Sequence, residues 1–213
     1  MKKVSGNTSK FTCPYDLMSV KPIKILFIGP HRPNRNPSQR FRIEQFIPYL
    51  ERSGFKCDYS WFLNEKDDRI FYSSGNVLQK FWIFLKAIAI RLRDVWHANR
   101  YDIIFIQREA FMTGSVFFER MLSRSKAKLV FDFDDAIWLE DTSEANKSLK
   151  WLKRPAKTAD IISFADLVIA GNDYLATYVQ QFNANVVVIP TVVDADRFIA
   201  AVPFTKENSC VVI

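Results

Sequence analysis

The stretch Lys24-Ile-Leu-Phe-Ile-Gly29 is a short apolar run that ends in glycine, the pattern of a buried strand followed by a turn. A loop rich in proline and arginine follows over residues 30–37. Ser38 then stands where it can cap a helix that ends at Gly54, and Pro48 predicts a kink inside that helix. The chain therefore opens with a strand–helix unit.

The same alternation of strands and helices continues along the chain. Further strands are predicted over residues 55–62, 102–106, 128–132, 166–170 and 185–189, and helices over residues 77–97, 114–123 and 172–181. A polar loop through Gly75 is expected before the long helix. Repeated strand–helix units predict an α/β fold with a doubly wound, Rossmann-like parallel sheet.

The two ends of the chain differ from this central region. Residues 1–21 begin with lysines and lack the apolar segment of a signal peptide, so we expect a disordered leader. Residues 22–198 form the predicted Rossmann-like domain. The final apolar residues resemble the start of a strand, so residues 199–213 are interpreted as a linker into a second domain that is missing. An edge strand or a frayed tail is the alternative.

Composition narrows the functional classes. Thirty Lys and Arg residues against 23 Asp and Glu give a formal net charge of +7, which favours an anionic partner such as a nucleic acid, a membrane surface or a phosphorylated ligand. The three cysteines and two histidines lack the spacing of a disulfide framework or a metal site. The longest apolar run, residues 81–90, is too short to span a bilayer. We expect a cytoplasmic protein without a bound metal.

Candidate ligand-binding residues follow the predicted strands, because doubly wound sheets bind ligands at the carboxyl ends of their strands. Five of them belong to the first loop and the start of the first helix: Gly29, Arg32, Arg35, Ser38 and Arg40. Arg108 and Asn172 each follow a later strand. Arginine forks and free backbone amides suit phosphate or carboxylate groups. A solvated loop is the alternative for any single arginine. The loop is not GxGxxG, so no nicotinamide or flavin cofactor is expected.

The segment Phe131-Asp-Phe-Asp-Asp-Ala-Ile-Trp138 places three carboxylates at the end of a buried strand. Mutual repulsion and burial there can shift their pKa values, so Asp134 and Asp135 are the candidate catalytic residues. Capping of the next helix and hydrogen bonding to the sheet end are the structural alternative. The DxDx(T/V) motif of haloacid-dehalogenase-like phosphatases is a second alternative, with Asp132 as nucleophile and Asp134 as acid. Ala136 departs from that motif.

The long helix predicted over residues 77–97 is basic and amphipathic. Its polar side chains cluster in less than half of its circumference, and its large apolar side chains lie mainly outside that arc. One interpretation is that the helix meets an anionic membrane surface. The other is that Phe81, Trp82 and Ile88 pack on the sheet, as helices of doubly wound folds usually do.

Five segments, taken in order, resemble the amino-terminal half of the GT-B fold glycosyltransferases of family 4 (group 1). They are KILFIGPHRPNRNPSQRFR, YDIIFIQRE, KLVFDFDDAIW, ADLVIAGNDYLATYV and VVVIPTVVDADRF, and the resemblance covers about residues 23–213. Two departures stand out. Thr191 and Val192 replace a common Asn-Gly, and Asp134 and Asp135 replace a common His-Asp pair, so a catalytic histidine is not carried over.

The resemblance implies retaining transfer of a sugar from a nucleotide-diphosphate donor to a glycan or lipid-linked acceptor, in the synthesis of cell-wall or surface polysaccharide. It implies no cofactor beyond the nucleotide sugar, no nucleic-acid partner, and a location in the cytoplasm or on the inner face of the membrane. Residues 29–40 would face the donor phosphates or the acceptor, Asp134 and Asp135 would line the cleft, and Asn172 would start a helix pointing into it.

The same resemblance implies a second, nucleotide-binding domain, so the chain alone is expected to be inactive. A non-catalytic binding domain remains the third functional alternative.

Overall fold

The computed structural model describes residues 21–73, 75–139, 154 and 156–194. In these residues six parallel strands form one sheet in the order β2-β1-β3-β4-β5-β6. The strands are β1 Lys24–Ile28, β2 Lys56–Ser60, β3 Ile103–Gln107, β4 Lys128–Phe133, β5 Leu167–Ala170 and β6 Val186–Val188. The predicted α/β fold with a doubly wound, Rossmann-like parallel sheet is confirmed. The predicted leader and the interpretation of residues 199–213 concern parts of the chain outside the described residues, apart from Lys21.

Seven helices connect these strands in the described part of the chain. They are α1 Pro37–Gln39, α2 Ile47–Arg52, α3 Glu65–Phe71, α4 Val77–His97, α5 Phe117–Ser123, α6 Ala156–Phe164 and α7 Asp173–Val179. A π-helical turn, Arg40–Glu44, joins α1 to α2, and a 3₁₀ turn, Ala98–Arg100, follows α4. No helix among the described residues has both the length and the apolar character that crossing a bilayer requires.

The first helical segment begins earlier than predicted. Its cap is Asn36, whose side chain accepts a hydrogen bond from the backbone N–H of Ser38 at 2.9 Å, so the expectation that Ser38 is the cap is wrong. The reason is Pro37, which has no N–H to lose and suits the first helical position. A kink was predicted at Pro48. The helix is instead interrupted at residues 45–46, between the π-helical turn and α2, and Pro48 occupies the first turn of α2.

The polar loop expected before the long helix contains a further helix, α3, so the prediction of a continuous loop there is wrong. Asn64 and Asp67 form a capping box, in which the backbone N–H of Asp67 donates to the Asn64 side chain at 2.8 Å. Acidic residues in the first turn favour the helix further. The spacing of Asn64 and Asp67 was the signal that could have predicted α3.

Two apolar clusters hold helices on opposite faces of the sheet. On one face, Ile43 of the π-helical turn packs with Ile25 and Phe27 of β1, and α2 packs beside them. On the other face, α4 to α7 bury their apolar side chains against β1 and β3 to β5, and α3 packs at the margin. The loops that follow the strands lie at the edge formed by the carboxyl ends of the strands (the carboxyl edge).

Helix α4 has the predicted bounds but an unexpected rotation. Arg91 and Asp94, which the amphipathic pattern placed on the polar side, are buried, whereas Phe81 and Trp82 are exposed. The expectation that Phe81 and Trp82 pack on the sheet is therefore wrong. Ile88, by contrast, is partly buried against the core.

The buried guanidinium of Arg91 accounts for this rotation. It donates to Asp94 at 2.8 Å and to the hydroxyl of Ser60 at 3.0 Å. It also donates to the carbonyl oxygens of Gly29 at 2.8 Å and Ala110 at 2.6 Å. A buried charge is tolerated when it is paired and fully hydrogen-bonded, and only this rotation of α4 gives Arg91 all four partners.

We predict that Arg91→Met lowers the free energy of unfolding by about 3–5 kcal/mol, because the buried Asp94 carboxylate would lose its buried cation and keep only the half-exposed Arg93. Denaturation by urea measures the change. Arg69→Met is the control, since Arg69 pairs with Glu65 on the exposed surface of α3 and should cost less than about 1 kcal/mol. Equal losses in the two variants would contradict the assigned role of Arg91.

Candidate functional site

The strand order sets the position of the candidate site. From β1 the chain moves to β2 on one side and then returns to β3 on the other, so the connections change direction between β1 and β3. In doubly wound sheets ligands bind at the carboxyl ends of the strands beside such a switch point. The loops after β1, β3, β4 and β5 meet at this edge and contribute the side chains described below.

Ser38, Gln107 and Asp134 form a hydrogen-bonded chain across this edge. The Ser38 hydroxyl lies 2.7 and 2.8 Å from the two carboxylate oxygens of Asp134, and the Gln107 amide donates to the Ser38 oxygen at 2.7 Å. Gln107 is buried and Asp134 is half-buried. The three residues fix the orientation of a carboxylate that still reaches the surface.

Arg108 and Asp135 form a second charged pair beside this chain. Their side chains are 38% and 63% exposed, and an Arg108 guanidinium nitrogen lies 3.4 Å from an Asp135 carboxylate oxygen. The backbone of Arg108 has a φ of 64°, a left-handed conformation that costs a non-glycine residue about 1–2 kcal/mol. The strand end nevertheless holds it there, because its N–H donates to the Asp132 carbonyl at 2.8 Å.

The turn after β5 passes directly beside Asp134. A Cβ atom on Gly171 would lie 3.0 Å from the Cα atom of Asp134, so a larger residue would displace the backbone that carries the carboxylate. Asn172 caps α7 as predicted, accepting a hydrogen bond from the Leu175 N–H at 3.0 Å. Asn172 therefore stands at the edge, with its side-chain oxygen engaged in the cap.

The first-loop arginines are tied to α3. Arg32 and Arg35 both donate to the carboxylate of Asp68, the Arg32 bond measuring 3.2 Å. Burial acts to raise the pKa of Asp68, but hydrogen bonds from Arg35 and Arg32 outweigh it and hold the pKa below its ordinary value. Two cations share one carboxylate, so one positive charge remains in excess. Sequence reasoning missed Asp68 because it placed this residue in a loop.

Two other predicted residues have local roles. Arg40 donates to the carbonyl of Asn34 at 3.2 Å, within the same loop. Gly29 follows β1, where a Cβ atom would lie 2.9 Å from both the Gln39 amide nitrogen and the Tyr59 hydroxyl. A larger residue at that position would have to displace the ends of these two side chains, and the Gly29 carbonyl is an acceptor for Arg91.

A buried ion pair between Arg42 and Asp132 lies beneath the edge. The Arg42 guanidinium bonds both carboxylate oxygens of Asp132 and also donates to the Ile189 carbonyl at 2.5 Å. Both side chains are almost inaccessible to water. Asp132 therefore offers no free oxygen to a phosphoryl group, which weakens the phosphatase interpretation. Sequence reasoning did not select Arg42, because its partner lies 90 residues away.

Burial raises the pKa of Asp132 to about 6. Hydrogen bonding and the charge of Arg42 act in the opposite direction, whereas the neighbouring charge of Asp134 adds to the increase. An acid whose folded pKa exceeds its unfolded value binds its proton more tightly in the folded state. Its contribution to stability is therefore present below about pH 4 and is lost as the pH rises through about 6.

We predict that the Asp132 carboxyl carbon titrates with a midpoint near pH 6 in the folded protein. NMR of protein labelled with ¹³C in aspartate carboxyl groups measures this midpoint, and Asp132→Asn identifies the signal by its loss. A midpoint near 4, the ordinary value for an aspartate side chain, would contradict the effect of burial on Asp132.

Comparisons with known proteins do not place the chain in a family. No protein-family model and no curated protein sequence matches it. Within the described residues, no group of three or more His, Cys, Asp or Glu side chains is arranged to hold a metal ion. The candidate site is therefore defined by its own geometry: an oriented carboxylate, an exposed charged pair and a cationic loop at one edge of the sheet.

Proposed function

We propose that this chain is the acceptor-side domain of a nucleotide-sugar-dependent glycosyltransferase that requires a second domain to bind its donor. The observation that carries the proposal is the oriented carboxylate of Asp134, held by Ser38 and Gln107 at the switch point of the sheet. The order of the five sequence segments supports the same assignment. The parallel sheet is compatible with it, although this fold hosts many chemistries.

Asp134 suits recognition of a sugar acceptor. A carboxylate has two oxygens that accept hydrogen bonds, and a sugar hydroxyl is a neutral donor. With Ser38 holding it in one orientation, Asp134 would bind the acceptor hydroxyl and receive its proton as the new glycosidic bond forms. Asp135 and Arg108, both more exposed, would contact neighbouring hydroxyl groups at the mouth of the site.

The first loop suits the leaving diphosphate. Three arginines, Arg32, Arg35 and Arg40, belong to this loop, and two carboxylates, Asp68 and Glu44, bond to it, so the loop retains a net positive charge close to the carboxyl edge. Stabilising the negative charge that develops on a departing diphosphate is an electrostatic task for which fixed cations are suited. This role requires neither a metal ion nor an additional cofactor. The main contacts with the nucleotide are assigned to the second domain.

We predict that Asp134→Asn lowers kcat for sugar transfer by at least about 100-fold, because the variant cannot accept the proton of the acceptor. Ser38→Ala should lower kcat less, since it leaves the carboxylate present but unrestrained. The assay measures transfer and donor hydrolysis with a panel of nucleotide sugars, by the 213-residue chain and by the product of its whole reading frame. Glu65→Gln, on the exposed surface of α3, is the control and should retain full activity.

Three results would overturn the proposal. Full activity of Asp134→Asn would remove the carboxylate from the mechanism. Magnesium-dependent hydrolysis of a phosphate monoester that is lost in Asp132→Asn would establish the phosphatase alternative. Binding of a nucleotide sugar or glycan without turnover, in both forms of the protein, would indicate a non-catalytic binding domain.

A further inference from the structure

We infer that the outward face of α4 docks on an anionic lipid surface. This face, the outer strip, is defined by the side chains Leu78, Phe81, Trp82, Leu85, Leu92 and Trp96. All six are exposed, and Leu78, Trp82 and Trp96 are 70%, 63% and 83% accessible. The inference rests on the orientation of α4 and is independent of the proposed sugar transfer.

The outer strip is continuous along the helix. At 3.6 residues per turn its side chains occupy an arc of about 100°, opposite to Ile83, Ala87 and Arg91, which face the core. Its first and last residues are separated by roughly 27 Å along the helix axis. α4 buries Ile83 and Ala87 in the core and packs Ile88, Ile90 and Val95 partly against it. In addition it presents the apolar outer strip to solvent over almost its whole length.

The charges beside the outer strip are cationic. Lys86 and Arg93 lie along one edge of the strip, and both are exposed. The one acidic residue of α4, Asp94, is buried against Arg91. Lys86 is paired with Asp67 of α3 at 2.5 Å. Arg93 lies 3.1 Å from Asp94, which it shares with the buried Arg91, so these two arginines and one carboxylate leave one positive charge in excess. Together with the net charge of +7 of the whole chain, this excess makes the edge of the strip complementary to a negatively charged surface.

This combination favours a lipid surface over a second copy of the chain. Tryptophan rings prefer the boundary between apolar and aqueous phases, and Trp82 and Trp96 are among the most exposed side chains of the strip. Lysine and arginine can lay their aliphatic stems on the membrane while their charges meet lipid phosphates. A second copy would present the same apolar strip with the same cationic edge, and α4 exposes no acidic side chain of its own to pair with Lys86 and Arg93.

The position of the strip is compatible with access to the candidate site. Because α4 packs on one face of the sheet, its outer strip faces away from the strands. Asp134 and Ser38 lie at the carboxyl edge of the sheet. A protein docked through α4 would lie with the long axis of this helix along the bilayer surface and would leave that edge uncovered.

Sedimentation with lipid vesicles tests the inference on the 213-residue chain. We predict binding to vesicles of phosphatidylcholine mixed with phosphatidylglycerol, and a blue shift of tryptophan fluorescence on binding. The double variant Trp82→Ser/Trp96→Ser should bind at least about tenfold more weakly. The double variant Lys86→Gln/Arg93→Gln should lose about tenfold or more on the anionic vesicles and should show a weaker dependence on salt.

Tyr49→Ser is the matched control, because Tyr49 is 62% exposed on α2, on the opposite face of the sheet, and should bind like the parent chain. Circular dichroism establishes that each variant is folded. Failure of the parent chain to bind anionic vesicles would overturn the inference, as would equal binding by the tryptophan double variant. Concentration-dependent dimers in analytical ultracentrifugation, dispersed by Trp82→Ser/Trp96→Ser, would instead assign the outer strip to a second copy.

Discussion

Burial of the Arg91 guanidinium is the constraint on which the arrangement of this protein depends. A cation removed from water needs a partner for its charge and acceptors for its hydrogen bonds, and Asp94, Ser60 and two strand-end carbonyls supply them. Gly29 and Ala110 follow β1 and β3, the strands that flank the switch point. Arg91 therefore holds together the ends of these strands and, by the same contacts, fixes the rotation of α4.

A second buried arginine performs the corresponding task on the opposite face of the sheet. Arg42 ties the π-helical turn to Asp132 of β4 and to the chain after β6. Because this guanidinium occupies Asp132, the neighbouring Asp134 is the carboxylate that remains available at the edge. The three acidic residues at the carboxyl end of β4 thus have different roles, although in the sequence they differ only by position: Asp132 is structural, Asp134 is held in one orientation and Asp135 is exposed.

The two proposals concern different surfaces of the same layered fold. The candidate site occupies the edge where loops converge, which is where doubly wound sheets bind ligands. The outer strip of α4 lies on one side of the sheet, with its apolar residues turned away from the core. An enzyme that modifies an acceptor carried on lipid would need both surfaces at once, one for attachment and one for chemistry, and the fold provides them without overlap.

The sequence by itself determined the order of the six strands and of four helical segments, since apolar periodicity and turn-forming residues act locally, and it located the carboxylates of residues 131–138 at a strand end. It missed α3 because a short, highly polar helix lacks an apolar period, and it also did not predict α6. Only the tertiary structure decided which side chains meet, because Ser38 and Asp134 are separated by 96 residues and Arg42 and Asp132 by 90. The tertiary structure also decided which side of α4 is buried. Periodicity separates the polar side of a helix from its apolar side, but side chains and carbonyls of distant strands and loops determine which side packs against the core.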